Sequence, residues 1–174
     1  DAYALALRFG LTDLLPLLRA TGEDPPSGHE LFVAACAAGD EAAARAIRSE
    51  HPDLPQALPP TELRLLPALA ALGRRDAVTL MVRLGWPIAT RGGDWDASAL
   101  NHAVFRGDAD LVRFLLEHGA GWEERHGFGD NVCGTLSWAS LNEPEGEGDW
   151  LGCAAALAAH GMPAARPDPE GSDS

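Results

Sequence analysis

The chain contains no lysine. All 13 of its basic residues are arginine, set against 26 Asp and Glu, for a net charge of −13. Nucleic acid is therefore not an expected partner: neutralising phosphates takes clustered cations, and Arg74-Arg75 is the only adjacent basic pair. Long apolar runs are missing too. None approaches the length of a membrane span, and Asp1-Ala2-Tyr3-Ala4 has neither the basic region nor the cleavage pattern of a secretory leader. The expectation is a chain without membrane contact, in the cytoplasm, with secretion as an effector as the other reading. Cysteines are few, and Cys36, Cys133 and Cys153 show no metal-ligand spacing and no disulfide framework. Cys36 and Cys153 fall in apolar helical stretches and read as small core hydrophobes. Cys133 lies near His126, but no orienting acid or oxyanion site accompanies that pair, so catalysis, cofactor and metal are not expected.

What is abundant is alanine, glycine and proline. Together with all-arginine basicity, this is what a GC-rich bacterial genome produces; escape from ubiquitin attachment inside a host would leave the same lysine-free pattern. The acidic excess reads first as a solubility device and second as a field that speeds encounter with a basic partner. At 174 residues and 46% hydrophobic content the chain has enough apolar material for one domain with an ample core.

Internal repetition sets the fold. Ser98-Ala99-Leu100-Asn101-His102-Ala103 is followed by Gly107, Leu111-Val112, Phe114-Leu115-Leu116 and Gly119-Ala120, and the same skeleton recurs on both sides. Gly10, Gly39, Gly73 and Gly107 are separated by 29, 34 and 34 residues, and a second ladder of Gly22, His51, Gly85 and Gly119 moves by the same steps. Leu100 aligns with Leu66, Phe32 and Tyr3, and Ala103 with Leu69, Ala35 and Ala6, so the inward positions stay apolar. A further copy begins at Thr135-Leu136-Ser137-Trp138-Ala139 and ends at Gly161, with about six residues inserted between its halves. Leu111, Val112, Leu115 and Leu116 fall at helical spacing, and a glycine just past each periodic segment suits a helix end that needs a left-handed residue. His51 is the exception on that ladder. Asp13 would cap a helix carrying Pro16, and Arg64 or Leu65 would open one carrying Pro67; a helix reaching back to Thr61 would instead be kinked at Pro67.

These features resemble the ankyrin-repeat family. The resemblance covers residues 1–163, and the family's Thr-Pro-Leu-His-x-Ala opening is best kept as Ser98 to Ala103, with the proline absent and Asn101 in place of the histidine. It implies an all-α solenoid of helix–turn–helix units with projecting hairpin-like loops. The units run at about 1–29, 30–63, 64–97, 98–133 and 134–163, and residues 164–174 form a disordered tail. First helices and loops would line a concave face. Because Asp1 falls inside a unit, the chain is expected to be a piece of a longer protein.

Specificity is expected in the loops, where a rigid scaffold leaves its tips free to vary. Trp95 sits among Gly93, Asp94 and Asp96 near the tip of the third loop, the composition of an exposed contact residue, and Arg91 would reach a partner's carboxylate. Ile88 and Trp122 match buried positions of the family's loops and read as packing residues. In the fourth loop Arg125, His126, Phe128 and Asp130 are the candidates, with His126 organising the turn and Phe128 either mobile or tucked under the loop. The loop from Pro52 to Pro60 reads as a rigid spacer or an irregular finger. The acidic insertion from Asn142 to Asp149 reads as solvated and away from the groove, with Trp138, Trp150 and Leu151 as core or as a cap. His29, His51, His102, His118 and His160 never show the paired spacing of a metal site, although His102 is a candidate for the groove.

The leading expectation is a non-catalytic, monomeric protein-binding module whose partner is a protein, basic by charge complementarity. The alternative is an adaptor segment of a larger bacterial enzyme or host-directed effector whose activity lies in a preceding region. An enzyme built on Cys133, His126 and nearby acids ranks below both.

Overall fold

A computed structural model describes residues 26–144 and 146–164, together with Ala2, Ala6, residues 11–20 and Gly22. Tyr3 and Gly10 of the first unit, and residues 165–174 of the expected tail, lie outside the described residues.

The described chain is mostly helical. A 3-10 turn at Thr12–Leu14 leads into α1 (Leu15–Ala20), which carries Pro16 at its second position, where a helix has no amide hydrogen bond to lose. Then come α2 (Gly28–Ala38), α3 (Glu41–Glu50), α4 (Pro60–Leu63), α5 (Leu65–Ala71) and α6 (Arg75–Arg83). A two-residue hairpin, β1 (Arg91–Gly92) and β2 (Ala97–Ser98), precedes α7 (Ala99–Phe105) and α8 (Ala109–Glu117); α9 (Val132–Asn142) and α10 (Trp150–Ala159) complete the chain. The region around Pro67 is two helices rather than one kinked helix. α4 stops at Leu63, Arg64 makes the turn, and Pro67 sits in the first turn of α5.

Packing follows two rows. α5 packs on α7 and α7 on α9, while α6 packs on α8 and α8 on α10; α2 and α3 pack on each other, and α2 also meets α6. Within each row the contact faces are apolar. Leu66, Leu69, Leu100, Ala103 and Val104 bury the first row, and Val78, Met81, Leu111, Val112, Leu115 and Leu157 bury the second. Short polar side chains start the helices: Asp40, Asp108 and Asp149 each accept the backbone N–H three residues on, and Ser27 forms a capping box with Glu30. Arginines tie successive pairs together. Arg74 donates to the Ala37 carbonyl at 3.1 Å, Arg106 to the Ala71 carbonyl at 3.1 Å, and Arg75 holds Asp108 with two bonds of 2.7 and 3.1 Å.

Glycine occurs where the backbone demands it. Gly39, Gly73 and Gly107 follow α2, α5 and α7 at φ of +73°, +70° and +67°, a region that costs other residues a steric penalty. Gly107 meets a second demand. It abuts the end of the acidic insertion: Asp149 donates its N–H to the Gly107 carbonyl at 2.8 Å, and a Cβ on Gly107 would lie 2.5 Å from the Gly148 Cα. The insertion is thus anchored at its end rather than solvated throughout. Trp150 follows directly, buried, with its indole N–H donating to the Val104 carbonyl at 3.0 Å, whereas Leu151 is exposed and belongs to no core.

The loop from Pro52 to Pro60 is a run of turns whose Leu54 and Leu58 are buried in the core. Ile88 and Trp122 pack against the same core, in keeping with their reading as packing residues. Among the described residues no helix is long and apolar enough to cross a membrane.

Candidate functional site

Two loops and two helices bring Trp95, Phe105, Phe128 and Trp138 together with His102 and His126. The β1–β2 hairpin pairs Arg91 with Ser98 and Gly92 with Ala97, placing Gly93 to Asp96 at its tip. A second hairpin-like turn is closed by a bridge between Arg125 and Asn131, by the His126 N–H donating to the Asp130 carbonyl at 3.0 Å, and by Arg125 Nη1 donating to the Gly129 carbonyl at 2.7 Å. The loops are joined. Gly127 donates its N–H to the Trp95 carbonyl at 2.9 Å, and a Cβ on Gly127 would stand as close as 2.9 Å to that oxygen.

Rings run continuously across this junction. Trp95 lies 4.8 Å from His102, 5.6 Å from Phe105 and 5.1 Å from His126, measured between ring centroids. Phe105 stacks on Trp138 at 5.6 Å with the planes 8° apart, and Phe128 meets His126 edge-on at 6.0 Å. Between them is a cleft of ≈ 590 Å³, with Asp130 at its edge. That volume is in the range of sites that take one large side chain or a small ligand. Its walls offer ring faces, which attract apolar groups and cations, and its rim offers one carboxylate.

Several expectations change here. Trp95 is not an exposed tip residue. It is half-buried among His102, Phe105 and His126, so its truncation would disturb the loop junction as well as any contact. In the free chain the Arg91 guanidinium pairs with the Asp96 carboxylate at 2.8 Å and donates to the Asp96 carbonyl at 3.0 Å, with its side chain 42% exposed. Asp96 is committed by the same pair. Phe128 is neither tucked nor covered, being 83% exposed. Asp94, Arg125 and Asp130 are exposed, and the Asp130 carboxylate accepts the Asn131 N–H at 2.8 Å. Trp138, read above as core or cap, is 52% exposed and forms one wall of the cleft. A signal for it existed: with Leu136 aligned on Leu100, Trp138 falls on the same position as His102. Phe105 had no such signal.

Beneath the cleft a buried polar network fixes the geometry. Asn101 donates from Nδ2 to Ser98 Oγ at 3.2 Å and to the Glu124 carbonyl at 3.1 Å, and its Oδ1 accepts Thr135 Oγ1 at 2.7 Å. One fully buried amide thereby links α7, the fourth loop and α9. His102 is also buried, and its Nε2 lies 3.1 Å from the Gly92 carbonyl. A carbonyl can only accept, so that nitrogen carries the proton. His126 has the same tautomer, since its Nδ1 accepts the Phe128 N–H at 3.3 Å and the proton is left on Nε2.

Burial pulls the His102 pKa below its ordinary value, outweighing the Gly92 hydrogen bond and the nearby Asp94; burial also lowers that of His126, assisted by Arg91. The folded state therefore favours the neutral rings. Below pH 6.5 the unfolded chain takes up protons that the folded one resists, so these histidines withdraw stability as pH falls from 6.5 toward their lowered folded values. Glu124 acts oppositely, its carboxyl being raised by burial against the help of the Gly121 N–H. We expect the urea midpoint of His102→Asn to fall less between pH 6.5 and about pH 5 than that of the parent chain. Equal slopes would exclude His102 as a source of acid sensitivity.

The remaining candidate chemistry does not assemble at the cleft. Cys133 lines a different cavity, of ≈ 740 Å³, with Leu136, Leu151 and Met162, whereas His126 lines the aromatic cleft. Its thiol is raised by burial. Cys36 and Cys153 are buried, and burial pushes each thiol up to about 12, as befits core residues without reactivity. One grouping was missed altogether: His29, His51 and Asp53 converge, with donor atoms all within 4.8 Å of one another. No family model matches the chain, and no curated protein matches it significantly.

Proposed function

We propose that the chain is a non-catalytic protein-binding module of the ankyrin-repeat kind, acting as a monomer in the cytoplasm and engaging a basic protein partner at the aromatic cleft. Three features support the architecture. α5 and α7 begin 34 residues apart, as do α6 and α8 and the capping positions Arg74 and Asp108. Like helices pack on like in two rows, and the third loop is a hairpin projecting from them.

The observation that carries the binding assignment is the exposure of Phe128 at 83% and Trp138 at 52% in the lining of one cleft. Large rings left in water around a preformed concavity, within a strongly acidic protein, are the composition of a contact site. Asp130 supplies negative charge in the same lining, and ring faces favour arginine or lysine side chains. The loops are already tied together before a partner arrives, which lowers the ordering cost of association.

Panning a displayed peptide library against the chain tests this. Enriched peptides should carry a cationic or aromatic anchor, and Phe128→Ala and Trp138→Ala should each weaken their binding about tenfold or more, with unfolding midpoints close to the parent's. Undiminished affinity in both variants would defeat the assignment.

A further inference from the structure

We propose that His29, His51 and Asp53 form a binding site for a divalent first-row transition metal, zinc foremost, at the end of the α2–α3 pair. The site uses none of the cleft residues and stands independently of the function proposed above. His29 lies in the first turn of α2, His51 caps the C-terminus of α3, and Asp53 is two residues beyond. Because α2 and α3 are joined by the short turn at Gly39-Asp40, the start of one helix and the end of the other meet. His29 Nε2 lies 4.0 Å from Asp53 Oδ2, and the two imidazoles stand edge to face at 5.8 Å.

The surroundings hold these groups in place. Gly28 opens α2 without a side chain, and a Cβ there would fall 2.3 Å from His51 Nε2, so the imidazole occupies the space that glycine leaves. The Ser27–Glu30 capping box fixes the turn carrying His29: Ser27 donates its N–H to Glu30 Oε2 at 2.7 Å, and Glu30 donates its N–H to Ser27 Oγ at 3.3 Å. On the other side, Leu54 donates its N–H to the His51 carbonyl at 3.1 Å and is fully buried, and Arg48 donates to the Leu54 carbonyl at 3.2 Å. Asp53 is thus carried between two anchored residues.

The donor set selects the metal class. Two neutral imidazoles and one carboxylate suit zinc and its neighbours rather than magnesium or calcium, which prefer all-oxygen shells. Ligand bonds of about 2.0–2.2 Å require the donor atoms to draw together by roughly 1 Å. The side chains have room for this, His29 being 41% and Asp53 59% exposed. Three protein ligands leave a fourth position for water or for a group on another molecule. Bound metal would clip the beginning of α2 to the end of α3.

Calorimetric titration of the chelator-treated full chain with Zn²⁺, with Mg²⁺ as control, tests the site. We expect saturable one-to-one binding of Zn²⁺, a raised unfolding midpoint in its presence, and no response to Mg²⁺. His29→Ala and His51→Ala should each weaken binding by about tenfold or more, and Asp53→Asn, which keeps shape and removes charge, should weaken it as well. Absence of saturable Zn²⁺ binding overturns the proposal. So does parent affinity in both histidine variants, since the metal would then be held elsewhere, for instance at Cys133.

Discussion

Gly107→Ala is expected to destabilise the chain by about 2–5 kcal/mol, the sum of a left-handed backbone penalty and an overpacking penalty. The backbone at this residue sits at φ +67°, and the new methyl would lie 2.5 Å from the Gly148 Cα and 2.9 Å from the Asp149 nitrogen. Those are main-chain atoms held by the Asp149–Gly107 hydrogen bond and by buried Trp150 immediately after, so they cannot swing aside as a surface side chain does. Gly119 supplies the control. Its φ is +101°, but a Cβ there meets nothing within 4 Å, so Gly119→Ala should cost about 1–2 kcal/mol from the backbone alone. Urea unfolding of the two variants separates the terms. Equal losses would mean that the end of the insertion does not pack on the Gly107 turn.

Leu115→Ala should cost about 2–5 kcal/mol, because a fully buried side chain is removed from the row formed by α6, α8 and α10 and the cavity closes only in part. Phe128→Ala, by contrast, removes a ring that is already 83% in water and should change stability by about 0.5 kcal/mol or less. The two residues are both large and apolar. What separates them is whether the ring or the methyls have protein on every side. Comparable losses in both variants would refute the division between scaffold and contact surface.

The helices were legible in the sequence because their determinants are local. The left-handed φ of Gly39, Gly73 and Gly107 is written in residue type, and the apolar spacing of Leu111, Val112, Leu115 and Leu116 marks a buried face without reference to any other segment. His51, the exception on the second ladder, has a φ of −125° and needs no glycine. The cleft was half legible. Trp95, His126, Phe128 and Asp130 were singled out from loop composition, but Phe105 and Trp138 join them only through the packing of α7 on α9. The pairing of Arg91 with Asp96 was not legible, because it depends on the hairpin closing in one register. His29 and His51 stand 22 residues apart, and nothing in that separation suggests proximity until the lengths of α2 and α3 and their turn are fixed.

The bond from Gly127 to the Trp95 carbonyl also bears on rates. It makes the two loops a single body, with Trp95 and His126 held as a floor, while Phe128 projects freely at the rim. A ligand entering the cleft has no loop to open and meets a ring whose rotation takes picoseconds to nanoseconds. Association should then follow encounter frequency, slowing as salt screens the acidic surface, and ligands that fit the cleft unequally should differ chiefly in how long they stay.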